Sequence, residues 1–243
     1  MFIQNRMALV ESVETLLAQE QRMNQIANNL ANVDTSGYKK ENVTFWEMLF
    51  TAHDDRQRVG KAMRVISDHS QGPMEMTGNP LDIAIEGEGF FRIQTPEGIR
   101  YTRSGSFNLN SEGQMVTPDG NLLIGEGGPV VVNGKEISVN QGGGISVDGE
   151  LVNQLVIVTF EDYENIEKEG NSLFKLTDET VAELISEDFR LQQGFLEAAN
   201  VNSTLELTEM IDLHRAYQAQ QKIVQTVDEV DSQAINRVGK LTG

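Results

Sequence analysis

Cysteine is absent from all 243 residues. Disulfides, a thiolate nucleophile and cysteine-ligated zinc are therefore excluded. Basic residues are scarce: 19 Lys and Arg stand against 37 Asp and Glu, a formal net charge of −18. Such a surface repels phosphate backbones, so no nucleic-acid partner is expected. The acidic residues are spread along the chain without a long acidic tail, which is the pattern of a solvated surface. No run of 18 apolar residues occurs, so no membrane-spanning helix and no membrane insertion are expected. The start of the chain lacks a basic region leading into a continuous apolar core, so a standard secretory signal peptide is not expected.

What is present begins with helical grammar. Residues 6 to 33 are rich in Ala, Leu, Glu, Gln, Arg and Met and predict one long helix. Leu9, Val13, Leu16, Met23, Ala27 and Leu30 form an apolar seam broken at Glu20. The last turn is dense in amides: Asn28, Asn29 and Asn32 stand among Ala27, Leu30 and Ala31. Asparagine costs several tenths of a kcal/mol relative to alanine inside a helix. These amides are read as specific hydrogen-bonding groups between subunits, with ordinary capping or solvent-facing amides as the alternative. Gly37 ends the segment. The stretch that follows has no clear period, and Phe45 to Phe50 is expected to be a helical turn or short helix.

From Asn79 the pattern changes to short β-rich runs separated by glycine. Leu81, Ile83 and Ile85 alternate with Asp82, Ala84 and Glu86. Phe90–Gln94, Arg100–Arg103, Ser106–Leu109, Gln114–Thr117 and Leu122–Ile124 continue the series, as do Val130–Val132, Glu136–Val139, Ile145–Val147, Leu155–Phe160 and Leu173–Leu176. Pro118-Asp119-Gly120-Asn121, Asn133-Gly134 and Asp148-Gly149 are turn signals. After Arg190 the helical period returns. Met210, Leu213, Tyr217, Gln220, Val224, Val227, Asp231, Ala234, Val238 and Leu241 alternate at spacings of three and four. Ser203 is the expected N-cap, with Glu206 three residues on. Gln220 and Asp231 interrupt the seam and are read as register-setting groups or contacts to another subunit.

The predicted fold is therefore α+β: long N- and C-terminal helices pairing as a coiled coil, with a central all-β domain of short antiparallel strands. The expected divisions are an N-terminal helix over 1–34, an extended connection over 35–78, a β-domain over 79–190 and a C-terminal helical region over 191–243. No enzyme is expected. His53, Asp54, Asp55 and His69 lack metal-ligand spacing and are read as surface groups. Gly87-Glu88-Gly89 lacks the third glycine of a dinucleotide loop, and Gly142-Gly143-Gly144 lacks the lysine of a phosphate loop. No catalytic residue, cofactor or metal is expected.

Four blocks in order carry a family likeness. Ala27-Asn28-Asn29-Leu30-Ala31-Asn32 with Thr35, Gly37, Tyr38 and Lys39 resembles the N-terminal signature of the flagellar rod and hook proteins. Gly78–Ile85 with Gly89-Phe90-Phe91, and then Tyr101–Phe107, resemble the family's next two blocks. Gly194, Leu196, Glu197, Asn200, Val201, Asn202, Glu206, Leu207, Met210, Ile211, Arg215, Tyr217 and Lys222 are similar to its C-terminal signature. Gly125–Pro129, Ser172–Leu176 and Thr226–Glu229 look most like the proximal-rod branch, with the distal rod as alternative. Asp34, Ala199 and Gln218 depart from frequent family residues without disrupting the pattern.

The resemblance implies a structural subunit of the basal-body rod that polymerises through its terminal helices into a tubular, torque-transmitting shaft. It implies export through the flagellar type III apparatus and residence in the periplasmic rod. The implied partners are other copies of the chain, the proximal and distal rod subunits and, during secretion, the export apparatus. The assembly interface is expected to use Ala27, Asn28, Asn29, Leu30, Asn32, Gly37 and Tyr38 at one end of the chain. At the other it is expected to use Asn200, Asn202, Met210, Ile211, Arg215, Tyr217, Gln220, Val224 and Asp231. Outside the family, an adhesin-like β module would need a secretory signal or donor strand, and neither is visible.

Overall fold

The computed structural model describes residues 2–51, 57–170, 172–178 and 181–241. His53, Asp54 and Asp55 lie outside the described residues. Two compact units result. One comprises Met1–Ala31, Glu41–Val65 and Asn202–Gly243, and the other Asn32–Lys40 and Ile66–Val201.

The first unit contains α1 (Phe2–Ala31), β1 (Glu41–Thr51), most of β2 (Gln57–Ser67) and α2 (Ser203–Leu241). β1 and β2 form a two-stranded sheet. Phe45–Phe50 therefore lies in a strand, where the sequence suggested a helical turn. A short apolar run does not distinguish the two by period, and the β-branched Val43 and Thr44 beside aromatic Phe45 and Trp46 favour the extended chain.

The α+β class stands, but the coiled coil does not. A coiled coil buries its seam as knobs in holes. Here α1 and α2 touch, yet among the described side chains only Gln25, Ile26 and Asn29 of α1 and Glu206 of α2 are buried. Val13 is 45% exposed. Met210, Leu213, Tyr217, Gln220, Val224 and Val227 are all only half-buried. Glu20 and Gln220 interrupt the apolar period, and the amide-rich end of α1 makes directed hydrogen bonds in place of apolar interdigitation.

The second unit is β-rich. Its strands begin with β3 (Met74–Met76), β4 (Ile83–Gly87), β5 (Phe90–Thr95), β6 (Gly98–Thr102), β7 (Asn108–Leu109) and β8 (Met115–Val116). They continue with β9 (Leu122–Gly125), β10 (Gly128–Pro129), β11 (Ile137–Val139), β12 (Gly144–Val147), β13 (Glu150–Gln154) and β14 (Ile157–Thr159). A 3-10 turn (Tyr163–Asn165) leads to β15 (Ile166–Gly170), β16 (Leu173–Leu176), β17 (Leu184–Ile185), β18 (Phe189–Gln193) and β19 (Phe195–Glu197).

The main sheet runs β15-β16-β6-β5-β9-β8-β7, with β10 on β9 and with β14 pairing both β5 and β17. β11, β12 and β13 form a second sheet, and the pairs β18–β4 and β19–β3 complete the unit. Asp148 and Gly149 turn β12 into β13 with φ of 50° and 89°, the left-handed pair that a tight hairpin needs. Val130–Val132 does not form a strand of its own. Val131 makes a single bridge to Gln114, while Val130 and Val132 are buried.

β5 organises two cores, because successive strand residues face opposite ways. Phe91 and Ile93 enter a cluster with Ile83, Ile85, Phe107, Met115, Leu123, Ile145 and Ile157. Phe90 enters another with Tyr101, Val158, Phe160, Ile166 and Phe174. β14 splits the same way, with Ile157↔Phe91 and Val158↔Phe90 in register. Each fully buried aliphatic or aromatic side chain contributes roughly 1.5–3 kcal/mol relative to exposure.

Candidate functional site

The amides at the end of α1 define the first cluster. Asn29 is 1% exposed. Its Oδ1 accepts from the Glu41 N–H at 3.0 Å, while its Nδ2 donates to the Glu41 carbonyl at 2.9 Å and to Glu206 Oε2 at 3.4 Å. Gln25 Nε2 donates to Glu41 Oε2 at 2.7 Å. Arg22 pairs with Glu209. The α1 terminus thus grips the start of β1 and the first turn of α2.

The cap of α2 lies one residue earlier than the sequence suggested. Asn202 Oδ1 accepts from the Thr204 and Leu205 N–H groups, both at 3.1 Å, as an N-cap does. Glu206 then falls one position too late for a capping box and is spent on Asn29. Asn and Ser cap about equally well, so the local residues alone do not choose between Asn202 and Ser203.

The second unit holds a buried charge cluster. Glu197 ends β19 at 1% exposure. Its Oε1 accepts from Lys39 Nζ at 2.7 Å and from the Gly72 N–H at 2.8 Å, and its Oε2 accepts from Arg103 Nε at 2.5 Å. Lys39 Nζ also donates to the Ser70 carbonyl at 2.7 Å. Arg103 donates to the carbonyls of Ile85, Gly87 and Gly89. Burial pushes the Lys39 pKa down, and Glu197 opposes that shift. Gly37 approaches this cluster with φ of 68°, and its N–H donates to the Glu197 carbonyl at 2.7 Å. A Cβ there would lie 2.2 Å from the Ser104 nitrogen, so only glycine fits. Tyr38 is buried beneath Lys168, whose Nζ stands 3.4 Å from the ring centroid.

His69 borders the cluster as part of an aromatic stack and not as a free surface group. Its ring lies 4.8 Å from Tyr163, 5.5 Å from Phe174 and 5.7 Å from Phe90. Burial lowers its pKa to about 4, helped by the Lys39, Arg103 and Lys168 cations and opposed by Asp68. A cavity of about 350 Å³ is lined by Lys39, His69, Gln71, Glu88, Arg103 and Tyr163, among others. Within its lining, Lys39 and Arg103 are both engaged by Glu197 and by carbonyls, whereas the His69 Nδ1 is buried without a hydrogen-bond partner. Among the described residues, no group of three or more His, Asp or Glu could hold a metal ion.

The remaining expected site residues spread over both units. Ala27, Asn28, Ile211 and Arg215 are exposed on their helices, and Leu30, Met210, Tyr217, Gln220 and Val224 are half-buried. Asn32 is half-buried, and its Oδ1 accepts from the Thr35 hydroxyl at 3.3 Å. Asn200 bonds within its own unit, to Lys40, Asp68 and Ser70. Asp231 lies in α2, and its side chain is outside the described set. The reading by residue pattern did not single out Gln25, Lys39, Glu41, Arg103, Glu197 or Glu206 as a cluster. Lys39, Arg103, Glu197 and Glu206 do stand in the family-like blocks, and that is the one signal that could have flagged them. Their separations, 158 residues for Lys39–Glu197 and 94 for Arg103–Glu197, leave no local pattern.

Comparison with known proteins places this geometry. Residues 12–39 match the family described as flagella basal body rod protein. Residues 84–147 match the D1 domain of the flagellar hook protein FlgE/F/G, and residues 192–237 match the C-terminal region of the flagellar basal body rod FlgEFG protein. The flagellar basal-body rod protein FlgF of Caulobacter vibrioides is 31% identical over 242 residues, covering 96% of this chain and 98% of that protein. The rod protein FlgG of Bacillus subtilis is 32% identical over 245 residues, covering 88% and 92%. FlgG of Buchnera aphidicola subsp. Baizongia pistaciae is 33% identical over 240 residues, again covering 88% and 92%. With both termini and the β-rich middle matched in order, the chain belongs to the flagellar basal-body rod protein family of FlgF/FlgG type and is a structural subunit of the rod, not an enzyme.

Proposed function

We propose that this chain is a FlgF-type subunit of the proximal rod, polymerising through the faces of its terminal helices to carry torque. The observation behind this reading is the apolar side chains that those helices show to solvent. Val10, Val13 and Leu17 of α1 are 45% to 59% exposed, and Leu205, Ile211, Ile223 and Val230 of α2 are 52% to 65% exposed. Apolar groups on an otherwise charged helix mark a surface that another chain covers. Contacts repeated head to tail without closing build a helical polymer, which is the geometry a shaft requires. Asn28, Met210, Tyr217, Gln220 and Val224 lie on the same two helices and belong to the proposed interface.

Coverage leans only slightly to the FlgF type. The alignment with the Caulobacter FlgF takes in 96% of this chain, against 88% to 93% for the Buchnera, Bacillus and Agrobacterium FlgG proteins. The distal-rod reading is kept by the 33% identity to a FlgG. The proposed location is the periplasmic rod, reached through the flagellar type III apparatus, with other rod subunits as partners.

The test is imaging of basal bodies from a deletion strain complemented with the chain or with Ile211→Asp. The deletion should leave no complete rod. The intact chain should restore it near the membrane ring, whereas Ile211→Asp should be made and folded but absent from basal bodies. A complete rod in the deletion strain overturns the reading, and a label found only at the hook end transfers it to the distal rod.

A further inference from the structure

Asn133-Gly134 carries a hairpin-turn signature that the fold does not use. A type I′ turn needs both central residues at positive φ. Neither Asn133 nor Gly134 has one, whereas Asp148 and Gly149 both do. Gly134 is required for another reason. A Cβ there would lie 2.3 Å from Val147 Cγ1 and 2.4 Å from Asp148 Oδ2, so the chain passes the β12–β13 hairpin too closely for a side chain. The pair is the one Asn-Gly in the sequence.

This link is tied down on both sides and open in the middle. The Val132 N–H donates to the Gly113 carbonyl at 2.7 Å. The Lys135 and Glu136 N–H groups donate to Asp148 Oδ1 at 3.2 Å and 3.0 Å. Between these ties Asn133 and Gly134 are exposed. Among the described residues, the Asn133 side chain and the Gly134 N–H have no hydrogen-bond partner. Asn110 and Asn140 differ in both respects. Each side-chain carbonyl accepts from two backbone N–H groups at 2.9 Å to 3.0 Å. Each is also followed by a residue with a side chain, Ser111 or Gln141. An asparagine cyclises where its amide is unheld and the next nitrogen belongs to glycine, because no β-carbon then obstructs the attack.

We propose that Asn133 is a site of spontaneous deamidation. The Gly134 nitrogen, having given its proton to hydroxide, attacks Asn133 Cγ. The Cγ–Nδ2 bond breaks, the departing nitrogen takes a proton from water and leaves as ammonia, and a succinimide ring remains. Water then opens the ring at either carbonyl. One opening yields aspartate. The other routes the main chain through Cγ and yields isoaspartate. Nothing is oxidised or reduced, and water is the only co-reactant. Either product adds a negative charge to a chain that already carries −18, one residue from the glycine that lies against Asp148. Isoaspartate also lengthens the link between the Val132 and Lys135 ties by one methylene. The change accumulates with the age of the chain and does not depend on the rod reading.

Peptide mapping of the purified full chain tests the site. The folded protein is held at physiological temperature in mildly alkaline buffer made with heavy-oxygen water. The peptide containing Asn133 should be replaced over time by two products carrying the heavy oxygen, one of them a substrate for an isoaspartate methyltransferase. Peptides containing Asn110 and Asn140 should show no conversion over the same period. Conversion only after the chain is denatured would mean that the fold shields the pair, and this overturns the proposal. Equal conversion at Asn110 and Asn140 overturns it too. In Asn133→Gln the labelled products should vanish, and a signal that persists comes from another residue and refutes the site.

Discussion

The two units spend their apolar residues differently. In the β-rich unit Ile83, Ile85, Phe91, Ile93, Met115, Leu123, Ile145, Ile157 and Phe174 are fully buried. In the helical unit Leu205, Ile211 and Ile223 are more than half exposed, and the most buried of its described side chains are the polar Asn29 and Glu206. A unit that encloses its own apolar side chains draws its hydrophobic stabilisation from within. A unit that leaves them in water gains only part of its hydrophobic stabilisation until another surface covers them, and helices owe most of their stability to such packing. The enclosed apolar core and the exposed apolar helix residues are therefore in separate parts of one subunit.

The largest expected effects break the β-rich side of this contrast. Phe91→Ala should cost about 3–5 kcal/mol, because a large ring leaves a cavity between two sheets. Glu197→Gln should cost a similar amount, roughly 3–5 kcal/mol, by leaving Lys39 and Arg103 buried without their counter-charge. Both are measured as shifts in denaturant midpoint followed by tyrosine absorbance in a Tyr217→Phe background, which leaves tyrosines only in the β-rich unit. The single tryptophan, Trp46 in β1, should report the helical unit separately. Coincident loss of both signals would show that the two units unfold as one and would erase the distinction.

A smaller effect is expected with pH. The folded state holds His69 neutral to about pH 4, whereas the unfolded chain takes up the proton near 6.5. Its contribution is fully present above 6.5 and is lost as pH falls toward 4, by up to about 3 kcal/mol for a single site. Asp68, whose pKa is lowered by hydrogen bonds from Ser70 and by nearby Lys39, adds a loss of the same sign at more acid pH. His69→Phe should flatten the change in stability between pH 7 and pH 5. An unaltered slope would remove His69 as its source.

The smallest effect tests the helical side. Asn202→Ala should lower stability by about 1 kcal/mol through loss of the α2 cap, seen as reduced far-ultraviolet helicity with the tyrosine-monitored β unit unmoved. Ser203→Ala should do much less. The reverse order would return the cap to Ser203.

Element type was legible wherever a period was long or a turn was strict. The 30-residue and 39-residue helices, the hairpin at Asp148-Gly149 and the strands around Phe90, Leu122, Ile145 and Leu173 could all be read from neighbouring residues. β1 was not legible, since a six-residue run with five apolar members, Phe45–Phe50, fits either a strand or a helical turn. β13 and β15 carry Glu150, Glu167, Lys168 and Glu169 and show no clean alternation, because edge strands face water on both sides. The amide-dense turn at Asn28–Asn32 was visible as unusual. Its most buried member, Asn29, proves to hold β1 and α2 of its own chain.

Sequence alone determined the order helix, β-rich body, helix, the absence of thiol chemistry and the four blocks that mark the family. Each of these is written in neighbouring residues, through period, turn chemistry or composition. Tertiary structure decided that Lys39, Arg103 and Glu197 meet, that Asn200 gathers three segments, and that the helices touch without a coiled-coil seam. Those outcomes depend on how sheets, loops and helices bring together residues 94 to 187 positions apart. Such distances are set by the packing of the whole body, and no local pattern encodes them.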